Sequence, residues 1–146
     1  MAEVVAPHGV FQGKVFEFPV RVYYEDTDAG GVVYYANYLK FAERARTEFV
    51  RALGVNQQVD LESEEKSAFM VRSLTIDYKA PAVLDDVLVV TCEMVEAKGA
   101  GCVMKQEIRR GEQILVSLEV KLAHVSLSRR RPTRIPESLL QKIEAL

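Results

Sequence analysis

YEDTDAGGVVYYANYLKFAERARTEF, residues 24–49, contains the change of period that decides the fold. In its second half and just beyond, Tyr38, Phe41, Ala42, Ala45, Phe49, Ala52 and Leu53 recur every three or four positions, with Lys40, Glu43, Arg44, Glu48 and Arg51 off that stripe. The spacing predicts a long amphipathic helix over residues 37–53, with Asn37 as its N-cap and Gly54 as its stop. On the upstream side Phe16, Phe18, Val20, Val22 and Tyr24 alternate with Glu17, Pro19, Arg21 and Tyr23, the period-2 pattern of a half-buried strand. Pro19 places the early part of that strand at an edge or a bulge.

Downstream of the helix, residues 56–66 are polar without sustained periodicity and read as a loop with room for a short helical turn. The chain then becomes strand-like almost to its end. Leu74, Ile76 and Tyr78 alternate with Ser73, Thr75, Asp77 and Lys79; residues 87–95 are rich in β-branched side chains; residues 98–101 read as a tight turn; residues 103–109 and 114–125 follow, separated by Gly111. Pro136, with Leu139, Leu140 and Ile143 after it, marks a short terminal helix. A strand, one long helix and a run of antiparallel strands predict α+β architecture, with the helix packed across a sheet of about five strands.

At 146 residues the chain fits one domain, and a domain of this size buries about 68–70% of the surface its unfolded chain exposes. Residues 1–13 read as a flexible tail and 14–146 as the folded unit. The composition, 49% hydrophobic and 27% charged, is that of a globular protein. A formal net charge of -2 argues against nucleic acid or an anionic membrane as partner. No apolar run approaches the roughly 20 residues a membrane-spanning helix needs. Residues 1–14 have neither a basic segment nor a sustained apolar one, so a cytoplasmic protein is expected. Cys92 and Cys102 lie in strand patterns without CxxC spacing, which predicts free buried thiols and no metal site.

Between strand and helix, Glu25, Asp26 and Asp28 put three carboxylates into four residues, and Gly30 and Gly31 follow. The glycines permit close backbone approach to a ligand, and a helix N-terminus downstream offers free N–H groups and a positive dipole end. A carboxylate beside such donors has the parts for acyl transfer: a nucleophile or general base, and a cradle for a carbonyl oxygen. The same residues also suit an Asx-turn, with Asp26 or Asp28 accepting backbone hydrogen bonds around a bend. A calcium loop is excluded, because Gly30 and Asn37 stand where ligands belong. His8 and His124 are the only histidines, no HExxH is present, and neither GxGxxG nor GxxxxGK[ST] occurs. His124 reads as a strand residue.

The segment resembles the signature of hot-dog-fold thioesterases of the 4-hydroxybenzoyl-CoA thioesterase type, and within them most closely the YbgC-type acyl-CoA thioesterases associated with the Tol-Pal system. The similarity is dense over residues 21–53 and continues more weakly through FMVRSLTIDYKAPAVLDDVL, residues 69–88. It implies a long helix wrapped by a curved antiparallel sheet, in a homodimer or homotetramer with active sites at a subunit boundary. It implies acyl-CoA as substrate, with no separate cofactor. The catalytic aspartate of the family's DxD pair maps onto Asp28, leaving Asp26 a turn residue, and the backbone N–H of Tyr35 maps onto the donor to the thioester carbonyl. Many YbgC-type chains have His where this one has Tyr35, so a mechanism using that imidazole is excluded here. Gly30 and Gly31 then line the substrate. For the CoA phosphates the resemblance points to a basic turn between the third and fourth strands, where this chain has only Lys98; Arg129, Arg130 and Arg131 form a second basic cluster. The rival readings are a preference for acyl carrier protein over CoA, and a non-catalytic acyl-binding or scaffold protein near the cell envelope.

Overall fold

The computed structural model describes residues 1–62 and 65–146. The alternation upstream of the acidic cluster folds as β2, Val15–Arg21, with Phe16, Phe18 and Val20 turned into the core. The sheet begins earlier, at β1, Val10–Gln12, inside the stretch set aside as a tail; residues 1–9 form neither helix nor strand. Phe11 explains why β1 is held. Its ring lies 5.0 Å from Phe16 and 5.7 Å from Phe49, close enough for the edge-on contacts that add to area burial.

The helical period folds as α1, Asn37–Ala52. Phe41, Ala42, Ala45 and Phe49 are buried, and the two alanines let the backbone come close to the sheet. Gly54 ends the helix as expected, for a definable reason: at φ +87° its N–H reaches the Arg51 carbonyl while Val55 N–H reaches that of Val50, the paired closure that favours glycine. The start differs from expectation. Ala36 occupies the cap position, and Asn37 lies one residue inside, its amide spent elsewhere.

After α2, Gln57–Glu62, come β3, Ser67–Tyr78; β4, Val87–Lys98; β5, Gly101–Arg110; β6, Gln113–Ser126; β7, Arg131–Pro132; and α3, Glu137–Glu144. All pairings are antiparallel, in the order β1-β2-β4-β5-β6-β3, with β7 on β6. This is the α+β, hot-dog arrangement, with two short strands, β1 and β7, added to the expected five. Pro136 caps α3 from just outside the helix. Among the described residues no helix is long and apolar enough to cross a membrane.

One polar group sits in the middle of the helix–sheet contact. Gln106 of β5 is fully buried; its amide nitrogen donates to the Ala42 carbonyl at 3.1 Å and to Cys92 Sγ at 3.1 Å, and its oxygen accepts from Arg46 Nη1 at 2.9 Å. The amide thus fixes α1 in rotation and in translation over the sheet. Gln106→Leu is expected to lower unfolding free energy by about 1.5–3 kcal/mol, the usual worth of a hydrogen bond to a charged group. Urea unfolding followed by circular dichroism checks this.

Candidate active site

The acidic cluster is built from the turn outward. A 3-10 turn at Tyr24–Asp26 follows β2, and Asp26 Oδ2 accepts Tyr23 N–H at 2.8 Å. The Asp26 carbonyl accepts both Tyr34 N–H, at 2.9 Å, and the Asn37 side-chain amide, at 2.9 Å. Asp26 is buried and committed to the turn. Two residues on, the chain makes a narrow hairpin: Thr27 bridges Val33, Asp28 N–H reaches the Val32 carbonyl, and Gly31 N–H returns to the Asp28 carbonyl. Gly31 completes the bend at φ +81°, a conformation other residues enter only under strain.

Asp28 forms the Asx-turn that its sequence position allows, with Oδ1 accepting Gly30 N–H at 2.8 Å. That bond fixes the carboxylate and leaves Oδ2 without a protein partner among the described residues. A β-carbon on Gly30 would stand 3.1 Å from Asp28 Oδ1, so this glycine makes room for the carboxylate. The Asx-turn and the catalytic reading are thus compatible on the same side chain. Asp28 is exposed to solvent.

At the entry to α1, the N–H of Asn37 bonds to the Tyr34 carbonyl, while that of Tyr35 has no protein acceptor among the described residues. The Tyr35 carbonyl accepts the phenol of Tyr78, 3.1 Å away, and the two rings meet edge to face at 6.2 Å. Tyr38 lies beneath, its hydroxyl oxygen accepting Ala82 N–H at 2.9 Å. These tyrosines, with Val33, Lys79 and Pro81, line a groove of about 280 Å³. Burial pushes the Tyr38 and Tyr78 phenols above their ordinary pKa, against the Ala82 bond in the case of Tyr38, so both stay protonated at neutral pH. The wall behind is anchored by Asp86, whose Oδ2 accepts Val83 N–H at 2.9 Å and Arg110 Nη1 at 2.7 Å. Burial alone would raise the Asp86 pKa; these two partners outweigh it and hold the carboxyl below its usual range.

Tyr78 is the site residue that sequence reasoning missed. It continues the Leu74, Ile76 alternation of a strand, and nothing local signals its contact with a backbone 43 residues away. The cations stand elsewhere. Lys98 ends β4 at the hairpin whose Gly99 carbonyl accepts Ile135 N–H, and Arg129 and Arg130 lie in the β6–β7 turn, beside the Ser67 end of β3. Tyr78 is at the other end of that strand, about 36 Å away at strand rise. Within one protomer Lys98, Arg129 and Arg130 therefore do not meet Asp28, and Arg129 pairs with Glu65. His124 is buried, its Nδ1 3.2 Å from the Arg134 carbonyl, as a satisfied strand residue.

The chain and its fold have close counterparts. The acyl-CoA thioesterase YbgC of Haemophilus influenzae is 51% identical over 124 residues, covering 85% of this chain and 90% of the relative. The acyl-CoA thioester hydrolase YbgC of Escherichia coli O6:H1 is 43% identical over 131 residues, or 89% of this chain and 96% of the relative. The crystal structure of a probable thioesterase from Bartonella henselae superposes with a TM-score of 0.79 at 38% identity, covering 82% of this chain and 98% of that one. The model of the thioesterase-like superfamily matches residues 22–143, spanning the acidic turn, α1, the whole sheet from β3 onward and α3, and the chain belongs to that family.

Proposed function

We propose that this chain hydrolyses acyl-CoA thioesters, with Asp28 as the reacting carboxylate and the Tyr35 N–H as the donor to the thioester carbonyl. The observation that carries this reading is the division of labour on Asp28: one oxygen is fixed by Gly30 N–H, and the other has no protein partner among the described residues, on a hairpin whose Val33 lines the tyrosine-walled groove. The relatives named acyl-CoA thioesterases support the substrate class. The Tyr35 N–H lies at the positive end of α1, where a carbonyl oxygen gaining negative charge is stabilised; one such donor contributes about 2.7–4 kcal/mol to the transition state. Gly30 and Gly31 keep the approach to it clear of side chains.

Two routes use these parts. Asp28 Oδ2 attacks the thioester carbon and expels the CoA thiolate, leaving an acyl-aspartyl anhydride that water then cleaves; or it takes a proton from a water that attacks the same carbon directly. Both yield a free acid and CoA. Single turnover in ¹⁸O-labelled water separates them, because only the anhydride route leaves label in the protein carboxylate when water attacks the aspartyl carbonyl, and an acyl-enzyme can be trapped. No histidine is among the residues that line the groove, so this reading assigns the proton transfers to the carboxylate without an imidazole.

The functional unit is a homo-oligomer of at least two chains. β3 is a sheet edge of twelve residues with Met70, Val71, Leu74 and Tyr78 exposed, the kind of strand that pairs with another chain. A two-fold pairing of β3 with its copy is antiparallel and brings the Ser67 end of one chain to the Tyr78 end of the other. Lys98, Arg129 and Arg130 of the partner subunit then reach the CoA phosphates bound beside Asp28. Two free buried cysteines suit the reducing cytoplasm. Acyl carrier protein presents the same thioester without the adenosine phosphates, so comparing one acyl group on both carriers measures how much those arginines contribute.

Asp28→Asn is expected to lower kcat by about 10²–10⁴-fold on every acyl-CoA cleaved by the parent, with the melting temperature little changed. A thiol-release assay reads it; near-parental turnover would refute the assignment, and binding of acyl-CoA by the wild-type chain without thiol release would favour a non-catalytic binding protein. Tyr78→Phe deletes the bond to the Tyr35 carbonyl and should cost about 2- to 10-fold in kcat/KM. Arg129→Gln with Arg130→Gln should raise KM and leave kcat alone. Mixed dimers of that variant with Asp28→Asn should recover activity at low substrate, since one of their two sites is then intact; no recovery would place the cations outside the shared site.

A further inference from the structure

A second cavity, of about 440 Å³, runs beside the C-terminal half of α1 and shares no lining residue with the tyrosine groove. Its apolar walls come from four strands of the sheet and from α3: Phe69, Met94, Met104, Leu122, Leu139 and Ile143. Methionine walls adapt to chains of different shape, and the volume is within the roughly 300–1,000 Å³ of small-molecule sites. The polar lining residues are Arg46, Glu43, Thr47 and Gln57, and Arg46 is the cation among them.

Arg46 is unusual for its charge balance. Its side chain is 12% exposed, and its hydrogen bond is to the neutral amide of Gln106, whose remaining capacity is taken by Ala42 and Cys92. Its one carboxylate neighbour, Glu43, stands 4.0 Å away on a side chain that is 75% exposed. The buried thiols nearby are no counter-ions: burial pushes Cys92 up to about 12 and Cys102 up to about 11, so both are neutral at physiological pH. A guanidinium has five N–H donors, and a cation drawn from water into apolar surroundings is stabilised chiefly by a paired anion. The cavity therefore offers a long apolar surface with one under-compensated cation on its wall.

We propose that this cavity binds a free carboxylic acid with an apolar chain, its carboxylate on Arg46 and its chain along the Met94, Met104 and Leu122 wall. Planar guanidinium matches carboxylate by paired hydrogen bonds, which separates an acid from an alcohol or amide of the same length. Within one protomer the cavity shares no lining residue with the groove beside Tyr35. Given thioester hydrolysis at Asp28, the ligand class is that of the reaction product; that consequence rests on the proposed function, and the binding itself does not.

Calorimetric titration of the full-length protein with decanoate and with 1-decanol tests the site. Decanoate is expected to bind at least 10-fold more tightly than decanol in the wild-type and Asp28→Asn proteins; Arg46→Met should erase that preference and Arg46→Lys restore part of it. Because Arg46→Met also releases Gln106, Val50→Trp serves as the independent variant: it fills the cavity one turn further along α1 and should abolish decanoate binding with the Arg46 network intact. Equal binding of acid and alcohol, decanoate affinity indifferent to Val50→Trp, or loss of binding in Asp28→Asn would each overturn the proposal. Thiol release is scored separately: binding without thiol release keeps this site and discards the hydrolase reading, and thiol release without binding does the reverse.

Discussion

The Asp26 carbonyl, buried under the first turn of α1, is the point on which the site depends. It accepts the Asn37 amide and the Tyr34 N–H together, and so ties the end of β2, the acidic hairpin and the start of the helix into one body. A buried carbonyl with two donors is costly to disrupt, because each freed group would lie unsatisfied away from water. Asp28 and the Tyr35 N–H belong to the two segments joined there, so their mutual placement is set by buried bonds and not by a mobile loop. Alanines at 42 and 45, with Gln106 beneath, then hold the middle of α1 against the sheet.

The helix and the first strand were legible in the sequence because burial on one face imposes a period on each, and residues 16–22 and 38–53 keep those periods without interruption. The acidic cluster was legible as chemistry only to the level of alternatives, since an Asx-turn and a reacting carboxylate require the same residue. The structure shows Asp28 making that turn with one oxygen and leaving the other free. Asn37 was misassigned because a capping residue and a residue that bonds to a distant carbonyl are both short polar side chains at a helix start; Ala36 occupies the cap with no side-chain bond at all. Tyr78 and the Arg46–Gln106 pair are contacts between residues 43 and 60 positions apart, respectively, and periodicity has no access to such pairings.

Distance along strands governs what one chain can and cannot assemble. In an antiparallel sheet successive turns alternate between two ends, so the acidic hairpin and the Tyr78 end fall on one side, and the Lys98 hairpin and the Arg129 turn on the other. Sequence proximity to a motif is no guide here. Cations read as phosphate ligands from the family resemblance, Lys98, and from a run of arginines, Arg129 and Arg130, stand a full strand length from the carboxylate, and an unpaired edge strand lies between the two ends.

Exposure at the site carries the same implication. Tyr35 is 62% exposed, and Asp28 faces solvent. A backbone donor aimed at a developing oxyanion is far more effective in a water-poor environment than in bulk water, because the Coulomb energy of a close pair rises roughly fourfold as the effective dielectric falls from about 80 to about 20. A single chain therefore presents the proposed reacting groups without the dry surroundings in which they would work best. Covering the exposed β3 face, which ends at Tyr78 beside the groove, removes that water while leaving the Asp28 hairpin in place. The pairing of sheet edges and the electrostatics of the reaction thus make the same demand on the same surface.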